Sequence, residues 1–364
     1  MDFKVKRKDL MEGLALTIGV VEKKNTMPIL SNVLIEAQKE GLKILATDLE
    51  VAVTCSVAAQ VMSVGKITVM ARSLQDIVRE SADEEIRFTL GENDRIELSS
   101  GLAKFKIPGL NASEFPTFPN VEAKPVDISC EAMLDMVEKT GFSMANDETR
   151  YNLNGVFLQK RGDNLVRMVA TDGHRLSMVD REIPLSSLEG GVIIPKKGVQ
   201  ELKKLLGPEG NFELALGKKG LVARRGGQSL YIRYLDGEFP EYNAVIPTEN
   251  NFLATISRQM LAGALRRVSL LSNERSKGVV FAFSPGHLEV SAANPDLGEA
   301  REEISIDYKG QKVNIGFNAR YVLDVLEVLK DETVTFALKG ETTACLIRST
   351  SDKGFLCVVM PMRI

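Results

Sequence analysis

The segment VATDGHRLS, residues 169–177, places the residue types of a nucleophilic site within a few positions of one another. It contains Asp172, His174 and Ser177, and His174 is one of only two histidines in the chain. A serine, a base and an acid act together only in a set geometry, which closeness in sequence does not provide. If the segment is a strand, Asp172 and His174 share one face and Ser177 lies on the other. No Gly-x-Ser-x-Gly elbow is present, so a hydrolase built around His174 is the alternative and a non-catalytic role is favoured.

The cysteines give no sign of a metal centre. Cys55, Cys130, Cys345 and Cys357 are scattered without Cys-x-x-Cys spacing, and together with two histidines they make a poor ligand set. We therefore expect reduced, mostly buried thiols, no metal and no cofactor.

The composition of the 364-residue chain is that of a globular protein, with 44% hydrophobic residues to fill a core. Neither a leader peptide nor an apolar run of bilayer length is present, so we expect a soluble, cytoplasmic protein. Lys+Arg number 46 and Asp+Glu 49, a net charge of −3. A role with nucleic acid therefore requires local sorting of charge.

The sequence repeats itself three times. The motifs LATDLE and VATDGH carry Thr47 and Thr171 at equivalent positions, 171 − 47 = 124 residues apart, and SEFPTF and GEFPEY follow at the same interval. A more divergent third copy contains SAANPD and ends in VVMPMR. These intervals predict three similar domains over residues 1–124, 125–250 and 251–364.

Each repeat has two halves, and in each half a helix is followed by alternating strand-like runs such as GVFLQK and LVRMVA. This pattern predicts an α+β fold in which each domain has two helices packed on antiparallel sheets. The predicted helices cover residues 8–20, 71–80, 131–142, 195–206, 258–270 and 318–329.

The second helix of each repeat carries a basic residue at one shared position. Aligning Asp76, Glu201 and Asp324 superimposes Arg72, Lys197 and Arg320. Two turns further along, the first two repeats have Arg79 and Lys204, whereas the third has Glu327. Surface helices often carry lysine, but three matched positions favour a basic stripe in a chain that is acidic overall.

Several motifs in this order resemble the bacterial DNA polymerase III β subunit family, the sliding clamps. They are TMPIL at 26–30, RYNLNG at 150–155, ATDGHRL at 170–176, LSNE at 271–274, YVLDVL at 321–326 and the terminal VVMPMRI. The resemblance runs from end to end. It implies a head-to-tail homodimeric ring of six domains that encircles duplex DNA and acts as a non-catalytic processivity factor.

The resemblance also implies which residues face DNA, through contacts with phosphate that do not depend on sequence. Asn152 stands where the family has a second aromatic residue, which weakens any stacking there. The DNA-facing candidates are Lys24, Arg72, Arg79, Arg150, Tyr151, Lys196, Lys197, Lys204 and Arg320.

In the family, a hydrophobic cleft between the second and third domains binds partner peptides. The implied partners are the replicative polymerase α subunit, the clamp loader δ subunit, repair polymerases and mismatch-repair proteins. Ala244 stands where many relatives have arginine, so partner preference is open. The implied cleft residues are Leu153, Thr171, Gly173, His174, Arg175, Leu176, Pro240, Val245, Asn318, Tyr321, Val358, Met360, Pro361, Met362 and Arg363.

The C-terminal sequence CVVMPMRI is apolar where fraying and polar residues are usual, which indicates that the tail is held against the protein. Residues 357–360 also suit an ordinary final strand, but the residues from Met362 onward are harder to explain in that way.

For the dimer contact, the resemblance pairs a basic edge of the first domain with an acidic edge of the third. An edge strand and a helix end with only a structural role remain possible for these residues. The implied interface is Lys104, Phe105, Lys106, Ile107, Leu270, Leu271, Glu299, Glu302 and Glu303.

Two other functions are weighed against a clamp. A hydrolase predicts a turnover activity that is lost in His174→Ala. A sequence-specific DNA-binding protein predicts retention on short linear duplex with a strong site preference.

Overall fold

The structure is a computed structural model that describes residues 1–21, 27–185, 188, 190–248 and 252–364. Lys24, a predicted DNA-facing residue, lies outside these ranges. Within them, no helix combines the length and the apolar character needed to cross a membrane.

The chain builds the same half-repeat six times: one strand, one helix and three further strands, with a short extra strand in the first and third repeats. The first repeat consists of β1 (Asp2–Lys6), α1 (Arg7–Ile18), β2 (Asn32–Gln38), β3 (Gly41–Thr47), β4 (Val51–Val57), β5 (Ala59–Ser63), β6 (Gly65–Met70), α2 (Ala71–Glu80), β7 (Glu85–Leu90), β8 (Arg95–Ser100) and β9 (Ala103–Leu110).

The second repeat consists of β10 (Val126–Ser129), α3 (Cys130–Gly141), β11 (Gly155–Lys160), β12 (Leu165–Thr171), β13 (Arg175–Glu182), β14 (Gly191–Pro195), α4 (Lys196–Leu205), β15 (Asn211–Leu216), β16 (Gly220–Arg225) and β17 (Gln228–Arg233).

The third repeat consists of β18 (Phe252–Ser257), α5 (Arg258–Val268), β19 (Gly278–Ser284), β20 (His287–Asn294), β21 (Gly298–Ser305), β22 (Asp307–Tyr308), β23 (Val313–Asn318), α6 (Ala319–Val328), β24 (Thr333–Leu338), β25 (Cys345–Ser349) and β26 (Phe355–Val359).

All six helices lie within two residues of their predicted bounds. Helix α2 shows why the prediction worked. Its apolar residues Ala71, Leu74 and Val78 recur at intervals of three and four and are fully buried, whereas Arg72 and Arg79 are exposed. The apolar stripe attaches the helix to the sheet and leaves its charges in solvent.

The chain forms two compact units, and the second repeat is divided between them. Residues 1–134 and 197–234 contain a 13-stranded sheet, in which β4 pairs with β17. Residues 135–196 and 235–364 contain a nine-stranded and a four-stranded sheet, and β13 pairs with β26 in the larger one. Every strand pair is antiparallel, as predicted. The repeat boundaries 1–124, 125–250 and 251–364 stay a prediction.

The four cysteines are free thiols, and all four are buried, which confirms the burial predicted for them. Burial raises the pKa of Cys55 to about 11 and that of Cys357 to about 12. These thiols belong to the apolar interior.

Candidate partner-binding cleft and DNA-facing surface

The residues Asp172–His174 form a turn between β12 and β13, so the strand geometry considered for Asp172 and His174 does not apply. The Asp172 Oδ1 atom accepts the backbone N–H groups of His174 and Arg175 at 2.9 and 3.0 Å. The Thr171 hydroxyl donates to the Arg175 carbonyl at 2.7 Å and accepts the N–H of Gly173. Gly173 has a φ of +86°, a conformation that favours glycine. The side chains of the motif therefore shape its own backbone.

The first repeat builds the same turn. The Thr47 hydroxyl donates to the Val51 carbonyl, and Asp48 Oδ1 accepts the N–H groups of Glu50 and Val51 at 2.9 and 2.6 Å. Leu49 occupies the position of the glycine, with a φ of +77°. The recurrence of threonine and aspartate in the sequence thus reflects one hydrogen-bonded turn used twice.

In this geometry Ser177 is not placed to act as the nucleophile of a hydrolase. Ser177 is fully buried in β13, and its hydroxyl donates to the carbonyl oxygen of Lys139. Asp172 is occupied by backbone groups, and His174 is exposed in the turn. The three side chains do not form a triad.

Next to the turn, two strands from different repeats present an apolar surface. Leu176 in β13 lies directly opposite Val358 in β26, and both belong to one buried cluster with Tyr242. Phe239 packs against this cluster and stacks on Phe157, with ring centroids 4.9 Å apart. We define this surface, together with the turn and the C-terminal tail, as the cleft.

The C-terminal tail is tied to both neighbouring repeats, which confirms that it is held against the protein. The Met360 N–H donates to the His174 carbonyl, and the Met362 N–H donates to the Gly316 carbonyl, each at 2.9 Å. The side chain of Ile364 lies over Gly316, although it is 66% exposed. Met360 is 43% exposed beside the turn, so a flexible apolar side chain is available at the cleft.

Arg175 is a buried side chain that stabilises the elements next to the cleft. It is only 8% exposed, and its guanidinium binds Asp324 at 2.6 Å, Asp172 at 3.1 Å and the carbonyl of Phe142. The same group lies 4.5 Å from the ring centroid of Tyr321. A buried arginine with all of these partners fixes the surrounding elements rather than offering a free surface to a ligand.

The other predicted cleft residues differ in exposure. Asn318 has a structural task, because its side chain accepts the Arg320 N–H at 2.9 Å and caps α6. Ala244 is exposed in the short helix Tyr242–Val245. Leu153 is buried; Thr171, Tyr321, Pro361 and Met362 are half-buried; and Gly173, Pro240, Val245 and Arg363 are exposed.

The predicted DNA-facing residues on the second helices are held in different ways. Arg72 and Arg320 are exposed, whereas Lys197 binds Asp48 and the Val20 carbonyl. Arg79 pairs with Asp76 at 2.7 Å and Lys204 with Glu201 at 2.7 Å. The stripe is therefore partly neutralised within the chain.

The remaining DNA-facing candidates lie around the segment Glu148–Leu153. Arg150 pairs with Asp147 at 3.1 Å, and hydrogen bonds from Thr149 and Arg150 lower the pKa of Asp147. Tyr151 is 54% exposed, and Lys196 donates to the side chain of Asn146. Asn152, in the place of an aromatic residue, donates to the Glu238 carbonyl at 2.9 Å.

The predicted dimer residues lie on β9, on β21 and, for Leu270 and Leu271, in the short helix Ser269–Leu271 that follows α5. Among the described residues, the backbone of Lys104–Ile107 pairs only with β8, and β21 pairs only with β20. Leu270 is 74% exposed, and Leu271, Phe105 and Ile107 are half-buried. Within the chain, Lys106 already pairs with Glu97 and Glu302 with Arg267. Lys104, Glu299 and Glu303 are exposed.

The roles of Asp324 and Gly316 were not predicted from the sequence. Asp324 served only to align the second helices, and its pairing with Arg175 joins residues 149 positions apart. Gly316 carried no signal except that it is a glycine within a strand, which often marks a close approach of another backbone. Here that backbone is the tail.

Comparison with known proteins agrees with this architecture. Three family models of the DNA polymerase III β subunit match the chain: the N-terminal domain over residues 1–119, the central domain over 127–241 and the C-terminal domain over 243–363. The β sliding clamps of Pseudomonas putida and Pseudomonas aeruginosa are 36% and 37% identical, with full coverage of both chains. A crystal structure of the P. aeruginosa clamp bound to griselimycin is 36% identical, with a TM-score of 0.93 and full coverage of both chains.

Three similar α+β domains with this topology define a DNA sliding clamp, a non-catalytic class of processivity factor. The chain belongs to the bacterial DNA polymerase III β subunit family. Proteins of this family bind DNA and replication proteins. The hydrolase and the sequence-specific DNA-binding protein are thereby set aside.

Proposed function

We propose that two copies of this chain close head to tail into a ring that encircles duplex DNA. The observation that carries this proposal is the pattern of strand pairing. The third strand after the helix in the first half of one repeat pairs with the third strand after the helix in the second half of the next repeat, at β4–β17 and again at β13–β26. The same positions in the remaining two half-repeats are β21 and β9; among the described residues β21 has an open edge, and β9 has one over Lys104–Ile107, before it pairs with β6 at Gly109 and Leu110.

Charge and apolar surface suit a contact between these edges in different copies. Lys104 is exposed on β9, and Glu299 and Glu303 are exposed on β21. The exposed Leu270 and the half-buried Phe105 supply an apolar centre. Because the two edges differ, the contact is heterologous and must either close into a ring or polymerise.

Within the ring, the exposed cations of the second helices would attract phosphates without reading bases. Enclosure then retains the duplex without any tight contact, so the ring slides. The DNA-facing set named from the sequence is our proposal for this surface, with Lys197 supporting the turn at Asp48.

The cleft would tether partners. An extended peptide with two apolar anchors gains about 3–6 kcal/mol from burial, and backbone hydrogen bonds must raise the net to about 8 kcal/mol for micromolar binding. Such an affinity allows exchange between the polymerase α subunit, the clamp loader δ subunit, repair polymerases and mismatch-repair proteins in the cytoplasm. We propose the cleft residues predicted from the sequence as this site, with Arg175 acting as support.

The ring is tested by solution mass and by retention on DNA. We expect a dimer by light scattering, and we expect loaded protein to stay on closed circular DNA and to leave when the circle is linearised. Leu270→Asp should give a monomer that is not retained, because the charge falls on the proposed interface. Leu253→Asp changes another exposed leucine of the third repeat and should remain dimeric. A stable monomer under loading conditions, or equal retention on linear DNA, would refute the ring.

A further inference from the structure

A cavity of about 540 Å³ lies behind the cleft, within residues 135–196 and 235–364. His174 and Tyr321, which the cleft also uses, form part of its wall. The end of α3 with Phe142, the start of α4 with Lys196 and the start of α6 with Arg320 form other parts. The cavity therefore joins residues predicted for DNA with residues predicted for partner peptides. We call it the arginine cavity, after Arg150, Arg175 and Arg320 in its lining.

The arginine cavity is lined by four cationic side chains and three carboxylates, an excess of one positive charge. Its three carboxylates are engaged: Asp147 pairs with Arg150, and Asp172 and Asp324 both pair with Arg175. Two cations remain. Arg320 has no ion-pair partner among the described residues, and Lys196 donates to the neutral amide of Asn146.

Two helices add to this positive field. Helices α4 and α6, each ten residues long, begin at the cavity with Lys196 and Ala319–Arg320. Helix N-termini carry a partial positive charge that favours an anion. The unpaired Arg320 and the two helix N-termini therefore both favour a bound anion.

We propose that the arginine cavity is a subsite for the carboxylate of an acidic residue in a partner peptide whose apolar anchors occupy the cleft. This inference rests on the proposed peptide cleft and adds a charge preference to it. The wall of His174 and Tyr321, stacked with ring centroids 6.3 Å apart, separates the two sites by one residue layer, which an extended peptide spans.

The shape of the cavity favours a peptide over nucleic acid. A duplex backbone is convex and meets a surface, whereas this site is concave. Phe142, Met144 and Ala145 line it beside the cations, and they suit the methylene groups of a glutamate side chain. The planar guanidinium of Arg320 can bind the carboxylate in bidentate fashion.

The test is a glutamate scan of a synthetic peptide. The fluorescein-labelled parent carries two apolar anchors, leucine and phenylalanine, and glutamine at every flanking position; each variant replaces one glutamine with glutamate. Fluorescence anisotropy at low salt should show one flanking position at which glutamate binds about tenfold more tightly than glutamine, or about 1.4 kcal/mol. In Arg320→Gln/Lys196→Gln this difference should collapse. Lys309→Gln, an exposed lysine away from the cavity, should keep it.

Each other outcome overturns the inference. If the peptides bind but no position prefers glutamate, or the preference survives in the double variant, the carboxylate subsite is refuted and the proposed peptide cleft is retained. If no peptide binds, the cleft fails and the subsite fails with it. If the scan is flat and the double variant instead weakens binding of a single-stranded oligo-dT, the cavity serves nucleic acid.

Discussion

Substituting Gly316 with alanine should detach the C-terminal tail and weaken peptide binding at the cleft. A Cβ atom on Gly316 would lie 2.3 Å from the carbonyl oxygen of Met362 and 2.8 Å from Ile364 Cδ1. The first contact is with backbone, which cannot move aside while the Met362 N–H still donates to the Gly316 carbonyl at 2.9 Å. The tail must therefore leave β23.

The cost follows from the contacts that are lost. One backbone hydrogen bond contributes about 0.5–1.5 kcal/mol. The Ile364 side chain is 66% exposed, so its remaining burial adds about 0.5–1 kcal/mol. A total of about 1–2.5 kcal/mol shifts the tail equilibrium by about five- to seventyfold. The tail then keeps only the hydrogen bond from the Met360 N–H to His174, and the wall of the cleft frays.

Two assays measure this effect. Carboxypeptidase should remove the tail of Gly316→Ala faster than that of the wild type, and a polymerase α-subunit peptide should bind about tenfold more weakly by anisotropy. Deletion of residues 360–364 defines the lowest peptide affinity expected in this series. We expect the deletion variant to lose peptide binding and to remain a dimer. Gly340→Ala is the matched control, because nothing lies within 4 Å of its Cβ position. Wild-type tail protection and affinity in Gly316→Ala would refute the docking argument, and unchanged affinity after the deletion would refute the placement of the cleft.

Two further predictions concern stability. The Tyr234 hydroxyl is buried without a hydrogen-bond partner among the described residues, so Tyr234→Phe should stabilise the protein by about 1 kcal/mol in urea unfolding. Tyr242→Phe, which loses a 2.8 Å bond to Gln159, should do the opposite; a Tyr234→Phe variant less stable than wild type contradicts the reasoning. Because burial raises the pKa of Cys55 to about 11 and of Cys357 to about 12, above the ordinary 9.0, the folded protein keeps protons that the unfolded chain releases. Stability should therefore fall as pH rises above about 9, less so in a double alanine variant, and a thiol reagent at pH 8 should react only after denaturation.

Periodicity made the elements predictable. Helix α2 buries Ala71, Leu74 and Val78, which follow a three- and four-residue spacing, so local sequence and tertiary packing agree. The repeat was predictable for a similar reason. The Thr-Asp pair makes its hydrogen bonds within five residues, so the same turn recurs where the same short sequence recurs. The turn at Asp172–His174 was not predicted, because it is closed by the Asp172 side chain, which binds the backbone that follows β12.

The support of the cleft was not predictable, because it depends on contacts between distant residues. Arg175 looks like a surface cation in the sequence, and only its pairing with Asp324 and the Phe142 carbonyl shows that it is buried. Gly316 likewise acquires its role from a tail more than forty positions away. The pairing of β4 with β17 across two repeats is also hidden, since strand patterns record which face is buried and not which neighbour is paired.

The two inter-repeat strand pairs within the chain differ kinetically from any pair made with a second copy. If β13 and β26 separate, the intervening polypeptide keeps them at a high effective concentration, and they rejoin without waiting for an encounter. In a ring of two copies, β9 and β21 would meet at two junctions, neither of them covalently linked, so re-formation would become slower on dilution only after both junctions have separated. The proposed ring would therefore open at these two junctions, and its reassembly after complete separation would depend on protein concentration, whereas the β4–β17 and β13–β26 pairs would not.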